Sequence, residues 1–150
     1  MARFRGRYDF SIDDKGRINI PSKFRKLLLP EAESTFVICR APDGCLWAYP
    51  KDEWEKFEDE LEEMPVSRDV NKFQRALQNT LSDSALDRQG RISLTALQMK
   101  IAGIDKDVSI IGRGRYLEIW DTKRFEEYAG NADDYDDAYY KIFRSRPDLG

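Results

Sequence analysis

Two short stretches of this chain place an arginine four positions after an aspartate, with a glycine just before the arginine: Asp13-Asp14-Lys15-Gly16-Arg17 and Asp87-Arg88-Gln89-Gly90-Arg91. A guanidinium presents planar, forked N–H donors, so it suits a carboxylate, a phosphate or the O6/N7 edge of guanine. An aspartate at the start of such a stretch accepts N–H groups of the following turn, and Gly16 and Gly90 supply the positive φ that the turn needs. Two uses fit these residues. Each arginine either meets an outside ligand at the tip of a turn or pairs with its aspartate as a surface salt bridge, worth at most about 1 kcal/mol.

Other chemistries lack their residues. The chain has no histidine, which removes the commonest zinc ligand and every Cys-His or Ser-His nucleophilic pair. No glycine-rich phosphate loop precedes a helix, and no carboxylates stand in a spacing that implies paired acid and base duties. The expectation is a protein that is not an enzyme, with no metal, no cofactor and no small-molecule substrate. Cys39 and Cys45 are open between a bridge across a hairpin and buried free thiols.

Charge is unevenly spread. The net charge is -3, yet residues 1–30 hold eight lysines and arginines against three aspartates, a local balance of +5. From Lys51 to Glu63, two lysines face eight carboxylates. Such segregation gives an acidic protein one positive face that a polyanion would meet, or a solvated surface with no partner. With 150 residues, 41% of them hydrophobic, the chain is long enough to bury a core without metal or disulfide. No apolar run resembles a signal peptide or spans a bilayer, so a cytoplasmic, soluble protein with no membrane contact is expected.

The chemistry-bearing stretches belong to a longer duplication. Asp13 to Ile20 recurs as Asp87 to Leu94, and Cys45 to Phe57 matches Tyr116 to Tyr128, in the same order. Each unit reads as a strand (Tyr8 to Ile12, Ser84 to Leu86), the Asp-x-x-Gly turn, and a second strand (Arg17 to Ile20, Arg91 to Leu94), together a hairpin. A short helix follows. In the first unit Ser22 caps a turn or two carrying Phe24, Leu27 and Leu28. In the second, Thr95 and Gln98 have capping-box spacing, Leu97 and Ile101 share a face, and Gly103 ends the helix.

Each unit then has two more strands, Thr35 to Arg40 with Cys45 to Tyr49, and Asp107 to Ile111 with Tyr116 to Trp120. Trp54, Phe57, Leu61 and Met64 make an apolar helical stripe, with the aromatics in the core. Val70, Phe73, Leu77 and Leu81 make a second stripe that links the halves. From Asn131 the chain is acidic and tyrosine-rich, with Tyr135, Tyr139 and Phe143 spaced for a marginal helix. The expected division is repeat 1 over 7–54, a helical linker over 55–82, repeat 2 over 83–126, and an acidic tail over 127–150.

Strand, Asp-x-Lys-Gly-Arg turn, strand, short helix opened by proline and second hairpin together resemble the AbrB/SpoVT looped-hinge unit. Two such units in one chain, with Phe4-Arg5-Gly6, Gly90-Arg91-Ile92 and Glu118-Ile119-Trp120-Asp121, resemble the MraZ family from about residue 4 to residue 128. The resemblance implies an α+β, mainly β fold, in which two tandem swapped-hairpin repeats form one pseudo-two-fold barrel with flanking helices. It also implies a homo-oligomeric ring, associated with the nucleoid, that binds direct repeats in promoter DNA upstream of a division and cell-wall gene cluster, usually as a repressor.

The family's Asp-x-x-x-Arg signature falls on Asp13 with Arg17 and on Asp87 with Arg91. In that light Arg17 is the principal contact to double-stranded DNA and Arg91 its counterpart. Lys15, Arg5 and Arg7 neutralise phosphates, with Arg3 doing so from a flexible arm, and Arg88 joins from the second turn. Asp13, Gly16, Asp87 and Gly90 hold the turns. The second turn departs from the pattern at Arg88-Gln89, which implies a weaker or differently oriented contact there. Two other readings stay open: an antitoxin-like AbrB protein whose acidic tail wraps a toxin, and a structural ring without affinity for nucleic acid.

Overall fold

The computed structural model describes residues 3–129 and 131–144; Gly130 and residues 145–150 of the tail lie outside the described residues. The strands are β1 (Arg7–Ser11), β2 (Arg17–Asn19), β3 (Thr35–Arg40), β4 (Leu46–Pro50), β5 (Ser82–Ala85), β6 (Arg91–Ser93), β7 (Asp107–Gly112) and β8 (Leu117–Asp121). The helices are α1 (Ser22–Arg25), α2 (Lys51–Glu62), α3 (Arg68–Thr80), α4 (Ala96–Ala102), α5 (Thr122–Ala129) and α6 (Ala132–Arg144). None of these helices is long and apolar enough to cross a membrane.

Six strands form one antiparallel sheet in the order β1-β7-β8-β4-β3-β5, and β2 pairs with β6 in a separate two-stranded ribbon. Exchanging the repeats maps this order onto its own reverse, so the pseudo-two-fold axis passes between β4 and β8 and through the ribbon. Ile18 faces Ile92, its own equivalent 74 positions on, at the ribbon's midpoint. Ile18, Ile20, Ile92 and Leu94 close the inner side of the sheet, packing with Phe36, Ile38, Leu46, Val108, Ile110, Leu117 and Ile119 in one core. This is the expected pseudo-two-fold barrel of interlocked repeats with flanking helices, but the fold is mixed α+β rather than mainly β, since more of the described residues lie in helices than in strands.

The hairpin expected within each unit is not formed. The turn itself closes, with the Asp13 N–H donating to the Arg17 carbonyl at 3.1 Å and Gly16 N–H to the Asp13 carbonyl at 3.1 Å. Beyond it the strands part: β1 pairs with β7 of the other repeat, and β2 with β6. An isolated two-stranded pair is marginal in water, and the swapped ribbon is supported by packing Ile18 and Ile92 against the sheet. Swapping partners lets Tyr8 and Phe10 reach the same core that Ile18 closes.

Strand β3 is buried on both faces. Phe36 and Ile38 enter the inner core, while Val37 and Cys39 meet Tyr49, Trp54, Leu61 and Leu77 beneath α2 and α3. Period-two alternation with apolar residues at both phases produces this layering.

Several expected faces shift. Pro21, not Ser22, occupies the cap position of α1, and no side chain caps it. Its φ of -50° already suits the first helical turn. The capping box of α4 forms, with the Gln98 N–H donating to Thr95 Oγ1 at 3.1 Å and the Thr95 N–H to Gln98 Oε1 at 3.0 Å. The inward face of α4, however, is Gln98 and Ala102, and Leu97 is exposed. Gln98 Nε2 reaches the carbonyls of Ile38 and Thr80 and the Ser82 hydroxyl, so its amide is buried with partners in place. On α2 and α3, Trp54, Leu61 and Leu77 are buried and Phe57 half-buried, whereas Phe73 and Met64, the latter just past the end of α2, stay exposed. The tail helix α6 forms with no buried residue.

Candidate nucleic-acid interface

Because Ile18 and Ile92 point into the core, the residues on either side of them face outward. Arg17 stands opposite Ser93, and Asn19 opposite Arg91, so one face of the ribbon presents two arginines, an asparagine and a serine in two-fold arrangement. The aspartate turns flank this face. Asp13 Oδ1 accepts the N–H groups of Lys15 (3.0 Å) and Arg17 (2.8 Å), and its Oδ2 accepts from Arg17 Nε at 2.7 Å. Asp87 repeats the pattern with the N–H groups of Gln89 (2.9 Å) and Arg91 (2.9 Å) and with Arg91 Nε at 2.8 Å.

These bonds hold both carboxyls below the usual aspartate range, first through the N–H of the arginine at the turn's end, then through its side chain. A folded-state value below the unfolded one stabilises the turn above the ordinary aspartate pKa, and that contribution is lost as pH falls through the folded value. At neutral pH the turns are therefore fully charged and closed. Arg17 meets its own aspartate through Nε. Arg91 differs, since its Nη1 also lies 3.7 Å from Asp13 Oδ2.

Lys15 and Arg88 sit exposed at the two turns, next to the ribbon. The N-terminal arginines are elsewhere. Arg7 lies six residues before Asp13 along an extended strand, about 20 Å away at ordinary strand rise. Its guanidinium contacts Asp9 at 3.0 Å and Glu126 at 2.9 Å and lies over the Phe125 ring. The arm expected to be flexible is tied at Phe4, which is buried and exchanges backbone hydrogen bonds with Gly114 at 2.8 and 3.0 Å. Arg3 and Arg5 flank that anchor and are exposed. A Cβ at Gly112 would meet the Arg5 nitrogen at 2.5 Å, so only glycine lets the arm lie this close. The structure thus gathers Lys15, Arg17, Arg88 and Arg91 around the ribbon and leaves Arg3, Arg5 and Arg7 in a second group.

Residues 3–80 and 82–138 match the sequence family described as "MraZ protein, putative antitoxin-like". The chain belongs to the MraZ family. The two matched segments meet at Leu81, between α3 and β5, where the structure passes from one repeat to the other. Among MraZ relatives, the transcriptional regulator MraZ of Syntrophomonas wolfei is 41% identical over 98% of this chain and 99% of its own. That of Oenococcus oeni is 40% identical over 89% and 92%. The MraZ of Nitratidesulfovibrio vulgaris is 35% identical over 97% of each chain.

Asn19 and Ser93 of this MraZ ribbon were not among the residues singled out from sequence. The signal was there: each lies two positions beyond its arginine, hence on the same strand face. Cys39 and Cys45 are both free and buried, and burial pushes each thiol up to about 12.

Proposed function

We propose that this protein is a DNA-binding transcriptional regulator that reads direct-repeat boxes in promoter DNA as a ring oligomer and represses a division and cell-wall gene cluster. The observation that carries the reading is the two-fold pair Arg17 and Arg91 on the outward face of a two-stranded ribbon. A ribbon of this width fits the major groove, where guanidinium groups reach guanine edges and Asn19 and Ser93 reach other base edges. Lys15 and Arg88 take phosphates on either side, and Asp13 and Asp87 hold the arginines in place. Arg3, Arg5 and Arg7 act as an outlying phosphate group, with Arg7 the most compensated of the three. The regulators named among the relatives support the same role.

One ribbon offers few contacts, so linking several in a ring raises avidity by about 100-fold or more when box spacing matches. The test is an anisotropy titration of promoter duplexes bearing one, two or more boxes, beside scrambled DNA and at several salt concentrations. Selective binding that strengthens steeply with box number and weakens with salt is expected. Equal affinity for scrambled and promoter DNA would remove the reading. The wording of the family description favours a second function, an antitoxin-like hold on a protein partner, which a stoichiometric nuclease captured by the purified protein would reveal.

A further inference from the structure

The two turns are braced differently, and each brace comes from the opposite repeat. Gly16 and Gly90 share the same backbone, with φ of 76° and 75°, and both are buried. Over Gly16 lies Met99 of α4, whose sulfur stands 3.3 Å from where a Cβ would be. Over Gly90 lies Arg25 of α1, whose Nη1, Cζ and Nε stand 2.5 to 2.7 Å from that position. Arg25 and Met99 are equivalent positions, 74 residues apart.

Arg25 is held there from two sides. Its Nε donates to the Ile20 carbonyl at 3.1 Å. Its neighbour Phe24 is buried, edge-on against Phe4 and Tyr8 with ring centroids 5.2 and 5.1 Å apart, which anchors α1. Yet Arg25 is exposed and, among the described residues, forms no ion pair. Arg88 shares both properties and lines the same open groove beside Gly90. At the first turn the equivalents of these two cations are Met99 and Asp14.

We infer that Arg25, reaching across from the first repeat, forms with Arg88 the phosphate grip of the second turn. Two unpaired guanidinium groups, one fixed by its Nε bond, converge beside an arginine aimed at base edges. That arrangement suits two successive backbone phosphates of a duplex. The first turn instead grips through Lys15 at its own tip. This inference rests on the DNA-binding reading and adds to it a binding residue outside both Asp-x-x-x-Arg motifs.

The experiment measures affinity for the multi-box promoter duplex against salt for the wild type, Arg25→Met, Arg25→Lys, and Arg25→Met with Gln89→Lys. Arg25→Met copies Met99 and should weaken binding about tenfold at low salt, lowering the log–log salt slope by about 0.9 for each phosphate that is no longer neutralised. Arg25→Lys also removes the Nε bond to Ile20 but keeps the charge, so it should hold the wild-type slope. Gln89→Lys should restore the slope in the methionine background without restoring that bond. Wild-type affinity and slope in Arg25→Met would overturn the inference and leave the regulator reading standing. Equal losses in Arg25→Met and Arg25→Lys, with slopes unchanged, would reduce Arg25 to a structural brace and also overturn it. A wild type that binds no duplex would remove both.

Discussion

At the first turn, Asp13 receives the side chains of two arginines, its own Arg17 at 2.7 Å and Arg91 from the other repeat at 3.7 Å, and the nearest cover over Gly16 is the Leu94 carbonyl and Met99. At the second, Asp87 receives, among the described residues, the side chain of Arg91 alone, and Gly90 lies under the guanidinium of Arg25. The backbones are the same; the neighbours are not. Duplication copies everything that a few consecutive residues can specify, such as turn type, carboxylate capping and strand alternation. It does not copy what the partner repeat brings, because the two repeats have diverged at the positions that meet. The first turn is therefore backed by a backbone carbonyl and an apolar side chain, and the second by a charged side chain.

The glycines test that contrast most severely. Gly16→Ala places a methyl 2.9 Å from a backbone oxygen, in a left-handed conformation that alone costs about 1–2 kcal/mol. With the clash added, a loss of about 3 kcal/mol is expected from urea unfolding. Gly90→Ala meets a side chain that can swing aside, so its loss should stay near about 1–2 kcal/mol. Equal losses would mean that the braces are interchangeable.

Binding comes next. Arg17→Ala should weaken binding to promoter DNA by about 10- to 100-fold with near-normal folding, the range for removing one bidentate pairing with a base. Arg91→Ala should cost less, because its guanidinium is shared with Asp13 and is the less exposed of the two. A reversed order would show that the second turn leads recognition. Normal binding by Arg17→Ala would instead reduce the first pair to a surface salt bridge.

The aspartates give a smaller effect. Asp13→Asn should lower the melting temperature more than Asp87→Asn, since Asp13 serves two arginines. Either change should remove stability at neutral pH and flatten its dependence on pH below the ordinary aspartate value, with the slope between pH 6 and 8 unchanged, as expected for carboxyls held below that value. Smallest of all, Cys39 and Cys45 should resist thiol reagents in the native protein at pH 8 and react fully after denaturation. Rapid labelling of Cys45 alone would show that the loop at Pro42 to Gly44 opens.

The duplication itself was legible, and with it the eight strands to within a residue or two, the capping box at Thr95 and Gln98, and the turn chemistry of Asp13, Gly16, Asp87 and Gly90. Each of these depends on residues a few positions apart. Strand partners were not legible: adjacency along the chain suggests that β1 and β2 pair, whereas β1 finds β7 about 100 residues away. The inward face of α4 was not legible either, for a related reason. Leu97 is the more apolar residue, but the carbonyls of Ile38 and Thr80 accept from the Gln98 amide, which lets Gln98 be buried with its polar end paired.

From the residues alone, then, came two copies of a charged turn on short alternating strands, because hydrogen bonding within four residues and period-two patterning are local. Only the tertiary structure decided that the two turns share one ribbon, that Arg17 and Arg91 face the same way, and that Arg25 stands over Gly90. Those relations arise from burying both repeats in a single core, and no window of sequence contains both partners.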